Sequence, residues 1–458
     1  MAPGKIKFAV IGAGSGFCPP TLSDILLSDR FNTLPLSIAL MDRGEKALAE
    51  AESFAREAVK ITGRENIEIL ATTRLEKALE GADFVISAIE VGRFYYWSMD
   101  FHIPRRYGFR QVFGENGGPG GMFHFLRNLP PLLEVAHTME KVCPDAWLLN
   151  YSNPEAKLVE GVLKLSKARA VGLCHGDMMG LNQISQILGI PAGEIETELI
   201  GLNHFGVFTK ITRRATGEDL YPLLRERERS IDLLAHWDEM ALPRIMLRTF
   251  GLFPYPGTNH IGEYVAWADE LMASQKLQYF FDPAANDPWN GGTVPEFVYS
   301  IQGNPTHRPL KPAENNGGSG SNRFTIRDGK INRSHEYGVQ IAEAVAFDLN
   351  MDVGAVNVQN LGYAPNLPEG MVVEIGATVD ARGIHPKKAP ALPTAYAALL
   401  STQGAIQKLL IEAYREQSRN KLLQALLLDP TVTSYHNAVA LVNEMCERQK
   451  KILPALHW

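Results

Sequence analysis

Residues 8–16 read Phe8-Ala-Val-Ile-Gly12-Ala-Gly14-Ser-Gly16, an apolar run that ends in three glycines. A short apolar run bounded by a glycine turn is a strand signal. The glycines permit a tight turn and let the backbone approach a pyrophosphate. The charge of that group would then sit at the N-terminus of the following helix, beside Phe17. The spacing is G-x-G-x-G, whereas the usual dinucleotide fingerprint is G-x-G-x-x-G, so the third glycine is displaced. The next apolar run, Ser37-Ile-Ala-Leu-Met41, ends on Asp42, 28 residues after Gly14. A carboxylate there accepts hydrogen bonds from ribose hydroxyls and repels a 2′-phosphate, which selects NAD over NADP. Strand, glycines, helix and acid in this order make Gly12, Gly14, Gly16, Phe17 and Asp42 a candidate NAD site. The alternative is a tight βα turn with a solvated aspartate.

Outward from this unit, short apolar runs alternate with amphipathic stretches over the first 200 residues. Strands are expected at Lys7–Ile11, Ser37–Met41, Phe84–Ile89, Trp147–Asn150, Ala170–Leu173 and Leu199–Asn203, and helices at Leu22–Leu27, Glu45–Ile61, Arg74–Leu79 and Leu126–Val142. That alternation predicts βαβ units and a parallel sheet. Beyond residue 205, loops rich in Gly, Pro and Asn interrupt helical segments, strand-like alternation returns at Met371–Val379, and Ala391–Gln449 is helical by pattern. The expected fold is therefore α/β: a Rossmann-type doubly wound parallel sheet over 1–204, then a second mixed α+β, helix-rich domain over 205–458. The stretch Asn315–Asn322, NNGGSGSN, reads as a flexible linker or as an active-site lid.

The 458 residues exceed one ordinary core, in keeping with two packed domains. A hydrophobic share of 45% and a charged share of 21% are those of a globular protein, and a net charge of −6 lacks the basic excess of a nucleic-acid binder. Four cysteines (Cys18, Cys143, Cys174, Cys446) make no disulfide framework in a chain this long. The N-terminus lacks a signal-peptide pattern and no window resembles a membrane span, so a cytoplasmic enzyme is expected.

Two similar motifs, Val171-Gly-Leu-Cys174-His175 and Ile200-Gly-Leu-Asn203-His204, sit where consecutive strands are expected to end. Ligands gather at the carboxyl ends of strands in doubly wound sheets. Thiolate and imidazole suit a borderline divalent metal. The competing reading is a buried structural cysteine and a core histidine.

At this point the chain resembles glycoside hydrolase family 4 over nearly its full length. The resemblance is carried by the glycine turn, Gly118-Pro-Gly-Gly121 with Arg127, Asn150-Tyr-Ser-Asn153-Pro154, the Cys174 and Asn203-His204 motifs, Asn357-Val-Gln-Asn360-Leu-Gly-Tyr-Ala-Pro-Asn366-Leu-Pro, and Val372-Val-Glu374 with Val379-Asp380-Ala-Arg-Gly383. Membership would imply an NAD-dependent glycosidase, one of the exceptions to two-carboxylate hydrolysis. Carbon 3 is oxidised, a base takes the carbon 2 proton, the aglycone leaves and water adds, with a divalent metal (usually manganese) holding the sugar oxygens. The resemblance assigns Cys174 and His204 to the metal and Asn153 to substrate hydroxyls. It makes His175 a candidate for the acid that assists departure, or for a residue that orients the site. The base would come from Tyr255 to Tyr264. Thr258 or Asn259 stands where some members carry Asp, which leaves Tyr264, Tyr255 and Glu263. Members usually form homodimers or homotetramers, and the helices around Ala405–Ala425 would supply an interface or cover the chain's own sheet.

The segment Asn259-His260-Ile-Gly-Glu263-Tyr264 is similar to the α-galactosidase and α-galacturonidase branch rather than the 6-phosphoglycoside branch. Arg93, His124, Arg127, His260 and Arg323 border the expected site and would pair with a carboxylate or sulfonate on carbon 6, because cationic forks match such oxyanions. Solvated loop charges are the competing reading. The expected substrate is a non-phosphorylated hexoside with an anionic carbon 6 (a uronide or a sulfoquinovoside, as in the related NAD-dependent sulfoquinovosidases). The alternatives are an α-galactosidase or an NAD-dependent dehydrogenase of the lactate or malate type.

Overall fold

The computed structural model describes residues 4–64, 66–232, 237–271, 277–280, 296–301, 304–308, 326, 328–334 and 336–458. Arg323 and the Asn315–Asn322 stretch lie outside the described residues. The strands are β1 Ile6–Ile11, β2 Leu36–Met41, β3 Ile67–Thr72, β4 Phe84–Ser87, β5 Trp147–Asn150, β6 Arg169–Gly172, β7 Ile195–Leu202, β8 Phe205–Arg213, β9 Pro254–Tyr255, β10 Leu277–Phe280, β11 Glu296–Ile301, β12 Asn304–Arg308, β13 Met351–Gln359, β14 Val372–Asp380 and β15 Gly383–Pro386. The first six are parallel in the order β3-β2-β1-β4-β5-β6. That order reverses between β1 and β4, the switch point at which doubly wound sheets bind ligands.

The near-continuous apolar character of β1 and β2 is what two covered faces require. Phe8 and Val10 pack with Leu22 and Ile25 of helix Cys18–Leu26 and Phe54 of helix Glu45–Thr62. Ala9 and Ile11 turn the other way, into a cluster with Phe125, Leu126 and Leu129 of helix Gly118–Val142. This last helix starts eight residues before the expected Leu126, inside a Gly-Pro-Gly-Gly segment that reads locally as loop. Close packing requires the glycines: a Cβ on Gly120 would meet the Asp100 carbonyl at 2.5 Å, and one on Gly121 the Asn116 backbone at 2.6 Å.

One expectation about the parallel sheet fails, because the strand expected at Leu199–Asn203 does not join it. β6 and β7 are not neighbours: β13 and β14 lie between them, and the large sheet continues β6-β13-β14-β7-β8-β9. Each of these pairings is antiparallel, so β7 runs opposite to β6. The alternation of β7 shows that it is a strand but carries no information about its neighbours. The sheet is thus continuous across residue 204. A separate antiparallel sheet is formed by β10, β11 and β12.

The C-terminal helices Thr394–Glu416, Arg419–Leu428 and Tyr435–Arg448 bury Ile406, Leu410, Leu422, Leu426, Leu441 and Met445 in the same cluster as Leu126 and Leu129. Arg127 helps to fasten them. Its guanidinium donates to Asp100 Oδ2 at 2.7 Å and to Gln449 Oε1 at 2.9 Å, and Gln449 Nε2 donates to Asp100 Oδ1 at 3.0 Å. Arg127 is therefore a buried structural cation and not a substrate-facing one. Among the described residues, no helix is long and apolar enough to cross a membrane.

Candidate cofactor and metal site

The glycine turn hangs from the end of β2. The Gly12 and Ala13 amides both donate to Met41 O at 2.9 Å, Gly14 N donates to Asp42 Oδ2 at 2.8 Å, and Gly44 N donates to Asp42 Oδ1 at 2.8 Å. Gly12 has φ +81°, and a Cβ there would meet Ala88 O at 2.5 Å across the switch point. A Cβ on Gly14 would lie 2.6 Å from Ala47 Cβ. Gly16 is exposed at the end of the turn, and Phe17 stacks on Tyr151 at 5.1 Å. Ser15 Oγ is buried and, among the described residues, has no partner. An orphaned hydroxyl on a glycine turn at a helix N-terminus fits a dinucleotide's phosphate. Each oxygen of Asp42 accepts one amide and retains a second lone pair for a ribose hydroxyl. Asp42→Ala is expected to weaken NAD⁺ binding by about tenfold or more, since a hydrogen bond to a charged group contributes ~1.5–3 kcal/mol. Titration of intrinsic fluorescence with NAD⁺ measures this, and unchanged affinity would reduce Asp42 to a turn residue.

The strand register continues this turn into a polar row. Ser87, Asn150, Gly172, Asn357, Glu374, Gly201, Gly206 and Tyr255 stand side by side on β4, β5, β6, β13, β14, β7, β8 and β9. The glycines make room for neighbours: the Glu155 carboxylate lies against Gly172, and the Tyr255 ring against Gly206. Tyr255 Oη donates to Glu374 Oε2 at 2.9 Å, Asn357 Nδ2 to Glu374 Oε1 at 3.1 Å, and Asn203 Nδ2 to Glu155 Oε2 at 3.0 Å. Burial, with Asp177 adding to it, pushes the Glu374 carboxyl up to about 8. Burial and then Glu374 push Glu155 well above the usual carboxylate range. The Cys174 thiol is raised by burial, then by Glu374 and Glu155.

His204 forms the tip of the β7–β8 hairpin with φ +65°, a left-handed conformation that is uncommon outside glycine. Burial lowers its pKa to about 4, so the ring is neutral and carries a lone pair. Asn116 Nδ2 lies 3.0 Å from Nδ1, and Glu263 Oε2 lies 3.4 Å from the same atom. The His260 ring packs edge-on at 4.3 Å. The neutral His204 imidazole and the Cys174 thiol are donors of the type that suits a divalent cation, and the raised carboxyls around Cys174 would give up protons to one. Among the described residues, no three His, Cys, Asp or Glu side chains converge on a single metal point. Substrate oxygens would have to complete the shell.

The other candidates are placed as follows. His175 Nδ1 is 3.0 Å from Glu336 Oε1, and that hydrogen bond raises its pKa. The Asn153 carbonyl accepts from Asn128 Nδ2 at 3.0 Å. Tyr264 Oη donates to Asn203 O at 3.2 Å, beside His204. Burial raises both Tyr264 and Tyr255 well above the ordinary phenol value, with Glu263 adding in the first case and Glu374 in the second. Glu263 Oε1 accepts from the amides of Glu115 at 2.6 Å, Asn116 at 2.7 Å and Gly117 at 3.3 Å. Burial and then Glu115 push its carboxyl up to about 8. Arg93 is held by Glu115 at 2.8 Å and Glu90 at 3.3 Å, and His124 Nε2 by Glu90 at 2.8 Å. Burial pushes Glu90 up, but His124 and Arg93 outweigh it and hold the carboxyl down at about 2. Sequence reasoning did not single out Glu90, Glu115, Asn116 or Glu336. Glu374 and Asn357 stood in quoted motifs without a role.

Taken together, these features describe a Rossmann-type α/β protein with a dinucleotide turn at its switch point and a polar site on the adjoining antiparallel strands. The chain belongs to the family 4 glycosyl hydrolases: residues 7–190 match that family's domain and residues 199–432 its C-terminal domain. It is 30% identical to an alpha-glucosidase of Erwinia rhapontici over 97% of this chain and 98% of that protein. It is 31% identical to an alpha-galactosidase of Bacillus subtilis (strain 168) over 96% of each. Its fold matches a 6-phospho-alpha-glucosidase from gut microorganisms in complex with NAD and Mn²⁺, at TM-score 0.78 and 22% identity, over 99% of this chain and 100% of that one.

Proposed function

We propose that the chain is an NAD-dependent glycosidase that cleaves a non-phosphorylated hexoside through transient oxidation at carbon 3. The observation that carries this reading is the glycine turn pinned by Met41 and Asp42 at the β1/β4 switch point of a family 4 chain. When bound, NAD⁺ would supply a hydride acceptor and donor for carbon 3, and a divalent cation would supply Lewis-acid stabilisation of developing negative charge. Gly12, Gly14 and Asp42 would hold the dinucleotide, and Cys174 and His204 the cation. His175, oriented by Glu336, would pass a proton to the departing oxygen. Tyr264 is favoured over Tyr255 for the carbon 2 proton, because its hydroxyl lies on the Asn203 carbonyl next to His204 whereas Tyr255 is engaged by Glu374. Glu263 is disfavoured as a base because three backbone amides occupy one of its oxygens.

The electrostatics favour a neutral carbon 6. Arg93 and His124, two of the cations expected to meet an anionic group, are already engaged by Glu115 and Glu90. A uronide or sulfoquinovoside would have to draw Arg93 from its partners, engage His260 beside His204, or use a cation outside the described residues, such as Arg323.

The test is a panel of nitrophenyl α-galactoside, α-glucoside, α-galacturonide, 6-phosphoglucoside and sulfoquinovoside with NAD⁺ and Mn²⁺. Nitrophenol release that requires catalytic NAD⁺, with solvent deuterium appearing at carbon 2, is expected for a neutral glycoside. Accumulation of NADH with free sugars and no release of nitrophenol would overturn the reading in favour of a dehydrogenase.

A further inference from the structure

We propose that Glu263 is a positioning residue for the cation: one carboxylate oxygen directs the His204 ring while the other fastens the segment that enters helix Gly118–Val142. The inference rests on the metal reading of Cys174 and His204 given above.

The geometry divides the carboxylate cleanly. Oε1 collects the amides of residues 115–117, the last three residues before the helix. Oε2 faces His204 Nδ1 at 3.4 Å. Gly117 is pressed so closely on the Glu263 backbone that its Cα leaves no room for a Cβ. Glu263 is fully buried, so solvent does not compete for either oxygen.

His204 Nδ1 has two neighbours of opposite character. Asn116 Oδ1 accepts from Glu155 N at 3.2 Å, which turns the Asn116 Nδ2 donor toward His204 at 3.0 Å. A ring that accepts from Asn116 carries its proton on Nε2 and offers no lone pair there. A ring that donates Nδ1–H to the ionised Glu263 carboxylate, the form that a bound cation favours, leaves the Nε2 lone pair for that cation, the arrangement in which a carboxylate behind a histidine raises its ligand strength. Glu263 and Asn116 therefore pull the tautomer in opposite directions. Because Glu263 also holds residues 115–117, Mn²⁺ on His204 and order at the helix entrance support one another.

Glu263→Gln separates the two tasks. The amide oxygen can still accept from residues 115–117, while its NH₂ now presents a donor to Nδ1. Binding of Mn²⁺ alone to the full chain is measured by the electron paramagnetic resonance signal of the free ion, alongside the melting temperature. The expected result is an affinity about 10- to 100-fold weaker in Glu263→Gln, the range typical of lost partners behind metal ligands, and abolished in His204→Ala. Asn116→Ala, which removes the opposing donor, is expected to bind Mn²⁺ several-fold more tightly. If Glu263→Gln melts far below the wild type, the Asn116→Ala result decides. Wild-type affinity in a folded Glu263→Gln, or unchanged or weaker binding in a folded Asn116→Ala, would overturn the role of Glu263. A wild-type chain that binds no Mn²⁺ would instead overturn the metal reading itself.

Discussion

Arg127→Met is expected to lower the unfolding free energy by about 3–5 kcal/mol, the usual loss when one partner of a buried ion pair is removed. Arg127 and Asp100 have side chains with no solvent exposure, and the guanidinium reaches the carboxylate at 2.7 Å. Burial raises the Asp100 carboxyl while Arg127 pulls it back, so without Arg127 the acid is left as an uncompensated group in a closed interior. Among the described residues Gln449 then remains to satisfy it, and the C-terminal helices lose a polar tie to helix Gly118–Val142. The double variant Arg127→Met/Asp100→Leu leaves no charge behind and is expected to recover most of the loss. Urea denaturation of the wild type, the single variant and the double variant measures both steps. A double variant as unstable as the single one would mean that lost packing, and not an orphaned charge, accounts for the effect.

The second large effect is the pH dependence of the chain without cation or NAD. The folded state raises Glu374 from an ordinary value of 4.5 to about 8, with burial as the first cause and Asp177 as the second. A carboxyl whose folded pKa lies above its unfolded one holds its proton more tightly in the native state. Its stabilisation is therefore fully present below about pH 4.5 and is lost as the pH rises toward 8. The melting temperature is expected to fall across that window, by the equivalent of a few kcal/mol at most. Glu374→Gln, which mimics the protonated form on Asn357 and Tyr255, is expected to remove Glu374's share of the fall and leave that of Glu263. A wild type and a variant with parallel profiles would exclude Glu374 as the titrating group.

The part of the fold that was legible is the part written in local signals. β1, its glycine turn and Asp42 were all readable because strand periodicity, glycine spacing and a carboxylate at the end of the next strand are near-neighbour facts. Helix Gly118–Val142 was misjudged at its start, because the glycines that look like loop are demanded by the Asp100 and Asn116 backbones. The insertion of β13 and β14 beside β6 was not readable either, since strand alternation records burial and not partnership. The site followed the same division. Cys174 and His204 were singled out as candidates through repeated motifs, whereas Asn116 and Glu336 enter through contacts with distant residues and leave no pattern around them. Arg93 and His124 were recognised as cations near the site, but their pairing with Glu115 and Glu90 is a tertiary fact.

The insertion also has a consequence for how the chain is made on the ribosome. β6 and β7 are synthesised early and nearly in succession, yet the two strands that join them are the stretches 351–359 and 372–380. Until those emerge, both carry unpaired backbone edges of the kind that recruit other chains. A nascent chain stalled or truncated before residue 380 would hold its glycine turn but lack the middle of its sheet. Shortened products of this gene are thus expected to aggregate rather than persist as free nucleotide-binding fragments, and chaperone demand should peak late in synthesis.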